Sequence, residues 1–504
     1  MVAFLTVGGC KTLDVPNYTN ADAALLETAP DASVVNYMAQ GLFSGIRGTQ
    51  QTLETYGRNF YNLDPTEVRS VTVPLIGPIA SGGYWPYSSI RNAYSILGAL
   101  DKVPDVSVAL SGMSPAQKAG VRGFTKTIMA YHYMIMIRVR YKLGGFIDVN
   151  RDKFGPLAAH VNGKAVLDHI LTLLDEGNTE LAAAGTTFSF TFTRGFQASQ
   201  GGAVFNTPAT FRQFNRALKA RMEVYAATWD APNATAHWNA ALTALGLTWV
   251  TPLPAAGPPP TLTVAQLDIG PKHTYGPTTA DGNNGDLDAT GRQRFLHPSV
   301  VSDAQLKVTG ATTCDQAGYT ANTCDNRLMR KSIDMGVFKG ILGLSSRWRW
   351  NIAGTGSGTA GTGASDTPFP IIRNEELILL RAEANIGLGN SSLAIRDINM
   401  IRVNSGQLAA ISDPYVAVGT QPPNLLEELL YEKRYSLLYE GHRWVDLVRY
   451  NMLLPTQVAN PKTALVRDAA THRIWPSLPF DTGECDFRRT ENLAGCPLGG
   501  EGGI

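Results

Sequence analysis

Charge is scarce in this chain. Asp, Glu, Lys and Arg together make up 17% of 504 residues, well below the roughly 25% of an average soluble domain. The 43 Lys and Arg nearly balance the 42 Asp and Glu, for a formal net charge of +1. This removes the electrostatic case for a nucleic-acid partner or for adsorption to an acidic membrane surface. Long apolar runs are missing as well. The most apolar stretch, residues 127–137, is shorter than the ~20 residues a spanning helix needs, and Arg138 and Arg140 follow it at once. It reads as a core helix.

Motifs for catalysis are missing too. There is no G-x-S-x-G elbow, and the eight histidines form neither H-E-x-x-H nor an i, i+4 pair. Glu375, Glu376 and Glu383 lie on a helix whose apolar face accounts for them, whereas a glycosidase needs two carboxylates facing each other at ~5–10 Å. Gly356, Gly358 and Gly361 match G-x-G-x-x-G, but Asp366-Thr367-Pro368-Phe369-Pro370 follows where a dinucleotide fold would open a helix. That run reads as a flexible loop. In the 281–288 loop, Asp281, Asn283, Asp286 and Asp288 offer oxygen ligands, yet glycine falls at Gly285 and no Glu closes the loop. An Asx-turn cluster is favoured there over calcium, which the sequence leaves open. The reading is therefore a non-enzyme with no catalytic residue, cofactor or metal.

Cysteine is sparse and positioned. Of five, Cys10 follows Val7-Gly8-Gly9, the small-residue pattern of a bacterial lipobox. The nine residues before it lack a basic region and are shorter than a signal peptide of ~15–30 residues, so the expected true start lies upstream. The other four fall in two close pairs, Cys314 with Cys324 and Cys485 with Cys496, each in a loop-rich segment. The expectation is two disulfides and an oxidising compartment. Neither pair has the C-x-x-C spacing of a zinc site.

What is present is helix at both ends and turn residues between. Starts are expected near Asp31, Pro86, Ser114-Pro115, Lys164, Thr207-Pro208 and Thr235. Small residues at Ala217, Ala220 and Ala226 suit close helix packing, though no strict repeat period can be counted. Residues 251–369 open with TPLPAAGPPP and end in a glycine run from Gly354, which disfavours continuous helix. Residues 424–452 then carry Glu432, Lys433, Arg434, Glu440, Arg443, Asp446 and Arg449 in helix-period sequence broken once, at Gly441. Leu425, Leu426, Leu429 and Leu430 mark an apolar face that Leu437, Leu438, Trp444 and Leu447 continue. A solvated face with weak i, i+3 pairs is one account of these charges. The other comes from a family.

The string E-K-R-x-x-L-x-x-E-G-x-R-W-x-D-L-x-R, Glu432 to Arg449, resembles the closing signature of the SusD/RagB family of bacterial outer-membrane nutrient-binding lipoproteins. Upstream, PIIRNEELILLRAEAN from Pro370 is similar to the family's P-x-x-R-x-x-E-x-x-L-x-x-A-E-A helix, and IRDINMIR from Ile395 to its helix ending I-N-x-x-R. YWPYSSIRN from Tyr84 resembles its W-x-x-Y-x-x-I-x-x-x-N helix start with one spacing altered, which makes Trp85 and Tyr87 scaffold residues. CKTLDVP from Cys10 resembles the opening of the mature lipoprotein, and DNR from Asp325 its D-x-R. Ser436 departs from the usual Glu, which puts one internal ion pair in doubt.

The resemblance implies a mainly α fold: a tetratricopeptide-like helical scaffold at approximately 31–250 and 370–453, with a long irregular, loop-rich, ligand-facing insertion at approximately 251–369. Residues 1–10 would be a signal remnant, 11–504 one SusD-like domain, and 454–504 a disulfide-stapled tail. It further implies a lipid-anchored, outer-membrane, cell-surface protein that captures oligosaccharide for a TonB-dependent SusC-like transporter. A peptide receptor of the same architecture, or a helical adaptor that binds only proteins, are the alternatives. Sugars stack their C–H faces on rings and bond their hydroxyls to polar groups. In S-R-W-R-W-N, Ser346 to Asn351, an extended chain puts Trp348 and Trp350 on one side and Arg347 and Arg349 on the other. The candidate ligand residues are Trp348, Trp350 and Arg349, with Tyr275 and Phe295 as further platform rings. Burial of both indoles in the core of a small sheet is the competing expectation.

Overall fold

The computed structural model describes residues 30–43, 50–63, 86–107, 111–151, 155–197, 204–253, 257–276, 294–307, 314–341, 344–351, 367–419, 421–467, 474–478, 480 and 485–488. Cys10, Trp85, the 281–288 loop, the 354–363 glycine run and Cys496 lie outside them.

Helices begin where side chains can satisfy the free amides of a first turn. The Asp31 carboxylate accepts from Val34 N at 2.9 Å and opens α1, Ala32–Gly41. After α2, Gln50–Tyr56, and strand β1, Phe60–Asn62, comes α3, Tyr87–Leu100. Ser114 and Gln117 form a reciprocal capping box ahead of α4, Pro115–Arg140, with proline at the first turn where no amide is missed. Asn162 caps α5, Gly163–Ala182; Thr207 caps α6, Pro208–Trp229; α7 is Ala234–Leu245. Helix α3 packs on α1, and each of α4 to α7 packs on the helix before it. The α4 to α5 contact is close: a Cβ on Gly123 would stand 2.9 Å from the Gly177 carbonyl oxygen, so only glycine fits there.

Residues 251–369 are less irregular than their composition suggests. Strand β2, Arg294–Leu296, helix α8, Asn326–Lys331, and the hairpin of β3, Ser332–Ile341, with β4, Leu344–Trp350, lie within them. With β1 they form an open antiparallel sheet in the order β1-β2-β4-β3. Four further helices follow: α9, Asn374–Gly387; α10, Ser391–Asn404; α11, Leu425–Ser436; and α12, Arg443–Arg449. Helix α9 packs on α6, α7, α10 and α11, which returns the far end of the chain to the first scaffold. The fold is mainly helical.

The charges of residues 424–452 are not a solvated face. Glu432, Lys433, Arg434, Glu440, Arg443, Asp446 and Arg449 are all buried. Lys433 bridges Glu383 at 2.8 Å and Asp446 at 2.9 Å, and Arg449 donates to the same two carboxylates. Arg221 forks onto Glu376 at 2.6 and 2.7 Å. Arg373 holds Glu375 and Glu440 and donates to the Ser436 carbonyl. Arg327 joins Asp325 at 2.6 Å to Glu432 at 2.5 Å. Where the family pattern has Glu, the Ser436 hydroxyl accepts from Arg327 at 3.0 Å, so a hydrogen bond survives at that position. Between α11 and α12 the chain turns through two left-handed residues, Tyr439 at φ 79° and Gly441 at φ 75°. The break is therefore wider than one glycine.

Burial by itself would raise the carboxyls of Glu375 and Glu383, but Arg373 for the first, and Arg449 and Lys433 for the second, hold each at about 2. Glu54 and Glu428 go the other way: burial outweighs their partners and lifts them to about 7 and about 8. Glu375 and Glu383 thus contribute stability that is present above the ordinary 4.5 and is lost as pH falls through about 2. Glu54 and Glu428 contribute stability that is full below 4.5 and is lost as pH rises through 7 to 8. Breaking a buried pair from one side leaves the other charge uncompensated. Glu383→Gln is expected to cost about 3–5 kcal/mol in urea unfolding at neutral pH and to flatten the acid limb of the stability profile. A variant as stable as the parent would show that Asp446 neutralises both cations unaided.

Candidate functional site

Strand β4 alternates as its sequence expects: Leu344, Ser346, Trp348 and Trp350 turn inward, and Ser345, Arg347 and Arg349 turn outward. The inward face is the one with apolar partners. Trp348 is 9% exposed and Trp350 4%, packed with Leu296, Val300, Leu328 and Tyr435. Trp350 stacks on Tyr439 with centroids 4.1 Å apart, and Trp348 meets Tyr319 at 6.1 Å. The exposed indole platform expected of these two residues is thereby corrected: they pack the sheet against the α11 end. Tyr275 is buried in the same cluster, and Phe295 is buried with Tyr61, Leu63 and Leu344, so neither offers an open ring. Arg349 is half-buried, in register with Ile333 and Phe295, and has no carboxylate within ion-pair distance among the described residues.

The open ring lies across the hairpin. Between Asp334 and Lys339 the β3 to β4 register slips, with Gly336 in the left-handed region at φ 72°. A bulge of this kind re-aims side chains. Val337 and Phe338 are left 57% and 62% exposed. The Arg347 guanidinium carbon sits 5.7 Å from the centre of the Phe338 ring. The same guanidinium forks onto Asp334 at 2.7 and 2.9 Å, and Gln316 donates to Asp334 at 2.8 Å. Burial would raise the Asp334 carboxyl, but Arg347 and the Gly336 amide bring it below the ordinary value, so it stays ionised. An exposed ring face is thus flanked by a guanidinium, a carboxylate and an amide, which suits a ligand with apolar C–H faces and hydroxyls. Alternation alone missed Phe338. The signal was Gly336 ahead of two consecutive apolar residues, a pattern no regular strand carries to one face.

Cys314 and Cys324 are bonded, with Cα atoms 5.4 Å apart. Cys485 is disulfide-bonded, and its expected partner lies outside the described residues. Glu376, Glu440 and His442 bring ligand atoms within 4.8 Å of one another. Arg221 and Arg373 already occupy these carboxylates. Burial, then Arg138 and Arg221, hold His442 well below its usual value. A dication there would meet cations on several sides, and the cluster is a salt-bridge node.

The fold and its buried charge lattice define a mainly helical scaffold from which a small strand-built extension presents a polar, ring-bearing face. Residues 345–484 match the SusD family model. A SusD-like protein of Formosa agariphila is 36% identical over 118 residues, a match spanning 22% of this chain and 22% of that relative's length. A SusD superfamily protein of Bacteroides fragilis superposes with a TM-score of 0.61 at 13% identity, covering 93% of this chain and 99% of that one. A laminarin binding SusD-like protein superposes at 0.55 with 15% identity, covering 90% and 97%. Residues 345–484 thus carry the sequence pattern of the SusD family, and the chain as a whole shares the fold of SusD-like proteins.

Removing a core indole costs about 3–5 kcal/mol. Trp350→Ala is expected to lower the unfolding free energy by that much, and retention of full stability in thermal melts would return Trp350 to the candidate ligand residues.

Proposed function

We propose that this protein is a lipid-anchored outer-membrane component on the cell surface that captures oligosaccharide and passes it to a SusC-like TonB-dependent transporter. The match of residues 345–484 to the SusD family and the whole-chain likeness to SusD-like folds, one of them described as laminarin binding, support the reading. The observation that carries the ligand class is the hairpin face: an exposed Phe338 ring beside the Arg347 and Asp334 fork. On this reading, consecutive helix packing is tetratricopeptide-like, residues 11–504 are one domain, and 251–369 is its ligand-facing insertion. Arg349, with no carboxylate partner among the described residues, is an added hydroxyl donor beside the hairpin. The closed loop of Cys314 and Cys324 suits an oxidising, exported location. Cys10 is the proposed lipid attachment site.

Loss of one ring from a shallow stacking site costs roughly 1–2 kcal/mol, about 5–30-fold in Kd. Phe338→Ala is expected to weaken oligosaccharide binding by that factor in calorimetry without lowering the melting temperature. Unchanged affinity for every glycan that binds the parent would remove the hairpin from the site. In its native genetic context, Cys10→Ala should move the protein from the outer-membrane fraction to the soluble one. Unchanged membrane association would locate the anchor elsewhere.

A further inference from the structure

A cavity of about 40 Å³ lies between α11, α12 and the 459–463 segment, with Pro422, Leu430 and Leu447 as its apolar wall. It shares no residue with the hairpin. Its charged lining is Asp303, Arg434, Arg443, Asp446 and Lys462. Both acids are taken: Asp303 pairs with Arg434 at 2.8 Å, and Asp446 is held by Lys433 and Arg449. Two cations are left over. Arg221, Arg327, Arg373, Arg402 and Arg449 each meet a carboxylate, whereas Arg443 meets none among the described residues. Arg443 is 7% exposed, yet it donates only to neutral oxygens: the carbonyls of Arg58, Thr463 and Ala464 and the Asn59 amide. Lys462, half-buried, likewise has no carboxylate within ion-pair distance among the described residues. Burial, then the nearby Arg434, disfavours the Arg443 charge, and Asp303 opposes them.

We propose that this cavity is a binding site for a carboxylate group, with Arg443 and Lys462 as its cationic partners. A buried guanidinium without a counter-ion is costly, and a carboxylate can displace the long bonds of 3.3–3.4 Å that Arg443 makes to the Arg58, Asn59 and Thr463 oxygens and match its fork geometry. Size limits the ligand: one water needs about 10–15 Å³ of such space, so the cavity admits a carboxylate but no sugar ring. The body of any larger ligand stays at the mouth. The wall is built in advance, because the Glu427 carboxylate accepts from Ala459 N at 2.7 Å, Asn460 N at 3.0 Å and the Thr463 hydroxyl at 2.6 Å. Binding therefore need not order that segment.

The test is titration of the full chain with sodium acetate and sodium glucuronate, against sodium chloride and glucose at matched ionic strength, followed by calorimetry and thermal melts. Saturable binding with a rise in melting temperature is expected for a carboxylate and for neither control. Acetate acting alone identifies a small free acid as the ligand, and glucuronate acting identifies an acid group borne on a larger molecule. Lys462→Gln, at the half-buried edge, should weaken the response about tenfold, and Arg443→Lys, which keeps the charge without the fork, should weaken it further. Equal responses to carboxylates and chloride, or affinities unchanged in Lys462→Gln, would overturn the proposal. Oligosaccharide binding at the hairpin should be the same in the parent and Lys462→Gln, so the two sites fail or stand separately.

Discussion

Neutralisation of buried charge is the constraint on which this structure depends. An ionised group taken out of water costs several kcal/mol unless geometry returns it through paired, hydrogen-bonded partners. Helix α11 buries Glu428, Glu432, Lys433 and Arg434 within about two turns, and α12 adds Arg443, Asp446 and Arg449. Their partners come from distant sequence: Asp325 and Arg327 at the start of α8, Glu383 of α9, and Arg402 of α10. Each pair fixes where two remote segments must meet. Apolar packing alone would tolerate a slide along a helix face. A lattice of forked ion pairs does not.

That lattice has a mechanical consequence for the β3 to β4 hairpin. Asp325 and Arg327 anchor α8, and α8 runs directly into β3. Tyr439, between α11 and α12, donates its hydroxyl to the Lys331 carbonyl and stacks under Trp350. The hairpin is held at its base by charge and by an indole, while Val337 and Phe338 stand clear at its far side. A shallow ligand face gains from such support, since a preorganised ring loses little entropy on contact.

Much of the scaffold was legible because its signals are local. Asp31, Ser114-Pro115, Asn162 beside Lys164, and Thr207-Pro208 satisfy their own helix ends within three residues, so each start could be read without tertiary knowledge. The period-2 alternation of β4 was legible too, but not which face was buried. That depended on where Tyr439 and Tyr435 would lie, and both are some ninety residues onward in the chain. The charges of α11 looked the same whether solvated or buried until Glu383 and Arg327 were in place. Phe338 was hidden by its bulge, because a slipped register changes faces without changing the amino-acid pattern.

The central claim is that oligosaccharide is held on the outer face of the β3 to β4 hairpin while the charge lattice beneath stays unaltered. Hydrogen exchange of the full chain with and without a bound oligosaccharide tests it most directly. Slowed exchange confined to residues 332–350 and the segment around Gln316, with α9 and α11 unchanged, is the predicted result. Protection that appears only on the scaffold helices, with the hairpin amides exchanging as in the free protein, would contradict it.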